Sequence, residues 1–155
     1  MMKMNPVEVR TSLEVGFTDG WLPEKFLRYR GKATRAIALK EEFPFEDAQF
    51  DVVLMDGSCV SRASVREAHR VLRPDGRLFF VVLEKTSRQD GYTQPDIYSI
   101  IRDGFHIVSL ERSSWWFLKR TGRTLTIEAR KKTWKSYKGL ARTGSAVLTP
   151  FNSRK

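Results

Sequence analysis

Cysteine is nearly absent from this sequence, and long apolar runs are missing altogether. Cys59 is the single cysteine among 155 residues, so no internal disulfide and no cysteine-built zinc site can form. No run of 18 apolar residues occurs, and residues 1–6 contain no apolar segment of the kind found in secretory signals. We therefore expect no membrane span, no metal site and a cytoplasmic location.

Acidic residues are scarce relative to basic ones. Lys and Arg total 28 against 18 Asp and Glu, which gives a formal net charge of +10. Seven positive charges and no negative ones fall in residues 131–155. The length suits one domain. We predict an α/β domain over residues 1–132 and a basic, flexible tail over residues 133–155.

Short apolar segments alternate with helix signals along most of the chain. Strands are predicted at residues 11–16, 33–39, 50–55, 77–83 and 105–112. A helix is predicted to end at Gly31, a second to begin with a capping box of Ser64 and Glu67, and a third to begin at Pro95 and Asp96. The strand at residues 50–55 is nearly all apolar, as in parallel sheets covered on both faces.

The last predicted strand has a different pattern. Leu125, Ile127 and Ala129 alternate with polar residues, which indicates one solvated face. With a turn at 120–123, this strand is predicted to pair antiparallel with the one through residues 115–118. The whole pattern predicts a doubly wound, mostly parallel α/β sheet with a terminal antiparallel hairpin. Such sheets bind ligands beyond the carboxyl ends of their strands.

The middle of the chain resembles a known family of enzymes. Residues 43–47 (Phe-Pro-Phe-Glu-Asp), the strand at 50–54 and the run Arg-Val-Leu-Arg-Pro-Asp-Gly at 70–76 resemble the class I S-adenosylmethionine-dependent methyltransferases. The resemblance extends over roughly residues 11–131. It implies a Rossmann-like fold, S-adenosylmethionine as cofactor and transfer of a methyl group to an oxygen or nitrogen acceptor.

The resemblance implies a cofactor-binding loop after the first strand. The family has an acid followed by three spaced glycines, and here Glu14, Gly16 and Gly20 match the pattern, with Thr18 at the middle glycine. Glycines let the backbone approach a ligand closely. Cofactor contacts are therefore expected from these four residues and from Phe17, although Glu14 could instead satisfy loop amides.

The cofactor side is also shorter than in the family. Only 34 positions separate Gly16 from Phe50, so one βα unit is expected to be missing. The acid that holds the ribose in the family has Lys40 at its position, and Glu41 is the nearest substitute. A shortened sheet would expose an edge at residues 33–39, which a second copy of the chain could cover.

Other candidate residues each have a structural alternative. Asp56, at the end of a central strand, is interpreted as catalytic and cofactor-binding, or as a helix cap, and Gly57 as a further cofactor contact. Cys59 fits a buried small side chain better than a nucleophile. His69, among arginines, is expected to be neutral and on a solvated face. His106 has no feature of a general base.

Two functions follow from these observations. The first is a methyltransferase with an unidentified small-molecule or macromolecular acceptor. The second is a noncatalytic methyltransferase-like module that binds a protein or RNA after loss of its cofactor pocket. Lysines at residues 131–138, interleaved with Trp134 and Tyr137, are typical of single-stranded RNA contacts, although a solvated tail has the same pattern.

Overall fold

A single mixed sheet organises the chain. The structure, a computed structural model, describes residues 10–17, 24–36, 41–117 and 120–132. Within these ranges the sheet has six strands, in the order β2-β1-β3-β4-β6-β5. The strands are β1 (Thr11–Val15), β2 (Lys32–Ala36), β3 (Phe50–Asp56), β4 (Leu72–Leu83), β5 (Phe105–Phe117) and β6 (Arg120–Lys131).

The pairing of the strands confirms the predicted fold class. The four strands from β2 to β4 are mutually parallel, and β6 lies antiparallel to both β4 and β5. The sheet is thus a Rossmann-like, mostly parallel one that ends in an antiparallel hairpin. The missing βα unit stays a prediction. Residues 37–40, the end of the second predicted strand, lie outside the described residues, as does the predicted tail.

Helices cover both faces of this sheet. The described helices are α1 (Glu24–Leu27), α2 (Arg62–Val71) and α3 (Gln94–Ile101), with a short 3-10 turn at Gly57–Cys59. Adjacent residues of β3 point to opposite faces. Val53 packs in the core beneath α2 and α3, whereas Val52 packs with Phe26 of α1. This two-sided burial explains why residues 52–55 of β3 are all apolar.

The start of α2 corrects the predicted capping box. Ser61, in an extended conformation, caps the helix by accepting a hydrogen bond from Ser64 N at 3.0 Å, and Ser61 N donates to Ser64 Oγ at 2.8 Å. Ser64 is therefore the third residue of the helix and not its cap. Glu67 takes no part in this capping box.

Glu67 and Arg70 of α2 hold the segment that leads into β3. Glu67 accepts a hydrogen bond from Phe43 N at 2.9 Å, and Arg70 donates to the carbonyl oxygens of Phe43 and Phe45 at 2.9 and 2.8 Å. Arg70 also pairs with Asp47 at 2.8 Å. Two parts of the family resemblance, the Phe-Pro-Phe segment and Arg70 at the start of the Arg-Val-Leu-Arg-Pro-Asp-Gly run, are thus in direct contact.

Candidate functional site

The carboxyl ends of β1 and β3 meet at the edge where a doubly wound sheet binds its ligand. Gly16 has a positive φ of 85°, and its N–H donates to the Ala36 carbonyl at 2.8 Å. A Cβ added at Gly16 would lie 3.2 Å from Asp56 Cβ and 2.5 Å from Cys59 Sγ. The structure therefore brings Gly16 and Asp56 together, and glycine is required there by backbone angle and by packing.

Glu14 is buried beneath this edge and bound to two arginines. It is 1% exposed. Its Oε2 accepts from Arg30 Nε at 2.7 Å and its Oε1 from Arg30 Nη2 at 2.9 Å, while Arg35 Nε lies 3.4 Å from Oε1. The hydrogen bond to Glu14 raises the pKa of Arg30 above its ordinary value. This carboxylate joins β1 to the chain between α1 and β2, and it has less capacity for a ligand than the loop pattern suggests.

The loop after β1 is described only in part. Phe17 is 6% exposed and packs edge to face on Phe26, with ring centroids 6.3 Å apart. Its ring therefore lies in the core. Thr18 and Gly20, two further residues of the predicted cofactor loop, lie outside the described residues.

Asp56 organises the turn that follows β3. Its carboxylate accepts hydrogen bonds from the backbone N–H of Ser58, at 3.3 Å, and from the Ser58 hydroxyl, and so caps the 3-10 turn. The side chain remains partly exposed at the ligand edge. A Cβ on Gly57 would lie 2.5 Å from the Val81 carbonyl oxygen. Only glycine therefore lets β4 pack this closely against the turn after β3. Capping and ligand binding by Asp56 are compatible with this geometry.

Two further carboxylates differ in burial. Glu41 is the first described residue of the segment between β2 and β3, and it is exposed. Glu84, directly after β4, is 8% exposed and accepts three hydrogen bonds from Arg112 of β5, at 2.6 to 2.9 Å. These bonds lower the pKa of Glu84. Sequence reasoning missed this pair because 28 positions separate its members.

The two histidines lie away from the ligand edge. His69 packs edge to face on Phe105, with centroids 5.4 Å apart. Burial, and to a smaller extent Lys131, lowers the pKa of His69. The expected solvated face is wrong, because Nε2 is buried. Burial followed by Lys132 and Arg130 likewise lowers the pKa of His106.

The described residues form neither a metal-binding cluster nor a membrane-spanning helix. In the described ranges, no group of three or more His, Cys, Asp or Glu side chains could hold a metal ion. None of the helices found there is long and apolar enough to cross a membrane.

A family comparison places the chain near the methyltransferases. Residues 25–80 match the model of the methyltransferase domain. That range contains the segment at 43–47, β3, α2 and the first part of β4, which are the elements that carried the resemblance in the sequence. The predicted resemblance to class I S-adenosylmethionine-dependent methyltransferases is therefore confirmed. No curated protein matches the chain.

Solved structures share the fold at low identity. A methyltransferase from Methanosarcina mazei is 15% identical, with a TM-score of 0.61 over 80% of this chain and 93% of its own. A Burkholderia thailandensis N1-methyltransferase of 1,6-didemethyltoxoflavin, bound to S-adenosylhomocysteine, is 20% identical, with a TM-score of 0.58 over 80% and 72%. The Bradyrhizobium japonicum N-methyltransferase NodS, also in complex with S-adenosylhomocysteine, is 14% identical. Its TM-score is 0.59, over 81% of this chain and 79% of its own. These likenesses establish the fold.

The described residues fit a cofactor at this edge in part. Gly16 and Asp56 meet where the cofactor is expected, and the Asp56 carboxylate is only partly buried. Glu14 fits the predicted cofactor contact less well, since both of its oxygens accept hydrogen bonds from Arg30.

Proposed function

We propose that this protein is an S-adenosylmethionine-dependent methyltransferase that acts on an oxygen or nitrogen acceptor. The observation that carries the proposal is the meeting of Gly16 and Asp56 at the carboxyl edge of a sheet with the methyltransferase strand pattern. The family match over residues 25–80 supports it. The acceptor is either a small molecule or a macromolecule.

Each described residue at the edge has a separate task in this proposal. S-Adenosylmethionine supplies an electrophilic methyl group on a positively charged sulfur, so the protein mainly aligns the reactants and excludes water. Asp56, held by Ser58, provides a fixed negative charge for a cationic ligand group or for orientation of the acceptor. Glu41 provides the carboxylate for the ribose hydroxyls. Glu14 keeps β1 and its loop in place.

Calorimetric titration of the purified protein with S-adenosylmethionine tests this proposal. We expect binding with a Kd of about 10 µM. Glu41→Gln should weaken it by about 10- to 100-fold, because a charge-assisted hydrogen bond to the ribose is lost. Glu46→Gln is the matched control, since Glu46 is also an exposed glutamate of the segment between β2 and β3.

Three outcomes of this titration decide the proposal. Binding that is lost in Glu41→Gln and kept in Glu46→Gln supports both the cofactor and the role of Glu41. Equal binding by both variants would show that Glu41 does not bind the ribose, but would still support a cofactor-binding methyltransferase. No heat at millimolar ligand would contradict the enzyme and favour the second candidate.

The second candidate is a noncatalytic binding module. The observation that favours it is the Glu14 carboxylate, which is engaged by Arg30 and Arg35, together with the packing of Gly16 against Cys59. Single-stranded RNA at low salt is then the ligand to test. Lys135→Gln with Lys138→Gln is the suitable double variant, because Lys131 has a structural contact, donating to the Leu72 carbonyl at 2.7 Å.

A further inference from the structure

A cavity of about 220 Å³ lies between α2, α3 and the start of β5. Its apolar wall is formed by Val65, Ile100 and Phe105. Pockets for drug-sized ligands measure about 300 to 1,000 Å³, so this cavity suits a smaller molecule with a single ring or short aliphatic body.

The charge around the cavity is predominantly positive. Arg62 and Arg66, four residues apart on one face of α2, line it, and both are exposed. Neither makes an ion pair with another residue in the part of the chain that the structure describes. Among the described residues that line the cavity, Asp103 is the one acid, and its Oδ1 lies 3.8 Å from Arg102 Nε. An anionic group at the mouth would therefore be attracted.

A polar atom inside the cavity wall lacks a hydrogen bond. His69 lines the cavity, and its Nε2 is buried with no partner among the described residues. Burial and the charge of Lys131 lower the pKa of His69, so at neutral pH the ring carries one donor and one acceptor nitrogen. Buried polar groups in proteins are nearly always hydrogen-bonded. This nitrogen has no accessible surface, so His69 offers a ligand its ring and not Nε2.

We propose that this cavity binds a small carboxylate with an apolar body. The carboxylate pairs with Arg62 and Arg66, and the body packs on Val65, Ile100, Phe105 and the ring of His69. Inorganic phosphate offers the charge without the apolar body, and a neutral ring offers the body without the charge.

The cavity is separate from the candidate cofactor site. His69 is in the last turn of α2, and Phe105 begins β5 opposite Lys131, the last residue of β6. Both therefore lie toward the amino ends of the parallel strands, whereas Gly16 and Asp56 lie at the carboxyl ends. Binding in the cavity can be measured without S-adenosylmethionine and does not depend on the proposed enzyme activity.

Sodium benzoate is the probe that tests the proposal. In NMR titrations of the full chain, we expect saturable shifts of the His69 ring and Phe105 signals, with a Kd of about 1 mM. Arg66→Gln should raise this Kd about 5- to 10-fold. Arg88→Gln, an exposed arginine in the turn after β4, should leave it unchanged.

Gly104→Ala provides a variant that fills the cavity wall without removing a charge. The added Cβ would lie 2.7 Å from His69 Cδ2 and 3.3 Å from Nε2. We expect the benzoate shifts to disappear in this variant. Circular dichroism and the unperturbed NMR signals of β4 would show whether the domain is still folded.

Benzyl alcohol and inorganic phosphate separate the parts of the proposal. Weaker or absent binding of both compounds, compared with benzoate, is the expected result. Equal binding of benzyl alcohol would overturn recognition of the anion, and equal binding of phosphate would overturn the apolar contribution. Absence of any benzoate-dependent shift of the His69 ring and Phe105 signals in the folded wild type would overturn the proposal as a whole.

Discussion

Two groups of neighbouring strands in the sheet, the apolar side (β3, β4 and β6) and the edge side (β1 and β2), are stabilised by different forces. On the side of β3, β4 and β6, buried apolar residues such as Leu78, Phe80 and Ile127 are fully inaccessible and pack beneath α2 and α3. On the side of β1 and β2, the buried carboxylate of Glu14 and its arginines join the strands. The side that resembles the family most closely is the side with the larger apolar core.

This difference shows how a sheet can end early. β2 is an edge strand among the described strands, and Lys32 to Arg35 are exposed. Charged residues on an edge strand discourage pairing with other chains. Arg35 does this and also pairs with Glu14, its partner in the β1–β2 register. The predicted second copy of the chain, which would have to pair with this basic edge, stays a prediction.

The largest effect is expected from a cavity in the apolar side. Phe80→Ala removes a fully buried ring from the centre of β4. It should lower the free energy of unfolding by about 3–5 kcal/mol. Urea denaturation measures this, with Leu83→Ala as control, because Leu83 is an exposed residue of the same strand. If Phe80→Ala lowered the free energy of unfolding less than Glu14→Gln does, the comparison between the two sides would be reversed.

A smaller loss is expected when the ion pair of the other side is broken. Glu14→Gln keeps the shape of the side chain and removes its charge. We expect the free energy of unfolding to fall by about 2–3 kcal/mol, since Arg30 is left without its charged partner but can still reach water. Glu42→Gln, an exposed glutamate, should have little effect. An unchanged denaturation midpoint in Glu14→Gln would mean that the ion pair does not stabilise β1 and β2.

The smallest effect concerns pH and the contact between α2 and the segment before β3. The hydrogen bond from Arg70 lowers the pKa of Glu67, with a further contribution from Phe43 N–H. On acidification the unfolded chain is protonated first, at about pH 4.3. The stabilisation is therefore complete above that pH and is lost as the pH falls through the folded-state pKa.

Glu67→Gln should accordingly flatten the acid side of the stability profile, by about 1 kcal/mol at most. Thermal unfolding between pH 3 and pH 7 would measure this, with Glu46→Gln as control. If Glu67→Gln and the wild type lose stability equally on acidification, the hydrogen bonds of Glu67 do not contribute to the pH dependence.

The sequence predicted the fold better than the roles of individual side chains. The mostly apolar strand at 50–55 and the alternation at Leu125, Ile127 and Ala129 are local patterns in the sequence. The structure confirms both, because their apolar side chains are buried. Glu14 shows the limit. Its loop pattern is local, but its partners Arg30 and Arg35 become neighbours only through the pairing of β1 with β2. Ser64 was misassigned for a more local reason, since Ser61 is an equally good cap one turn earlier.

The contact of α2 with the segment before β3 also bears on how this sheet could be enlarged. Glu67 and Arg70 fix residues 43–47 from the downstream side, so β3 and its neighbours do not depend on the length of the chain that arrives from β2. Glu41 and Glu42 are exposed just upstream of that contact. A further strand and helix grafted between these two residues would extend the sheet beyond β2 and leave every described strand pair in place. The segment between β2 and β3 is therefore a site where an inserted βα unit could be accommodated.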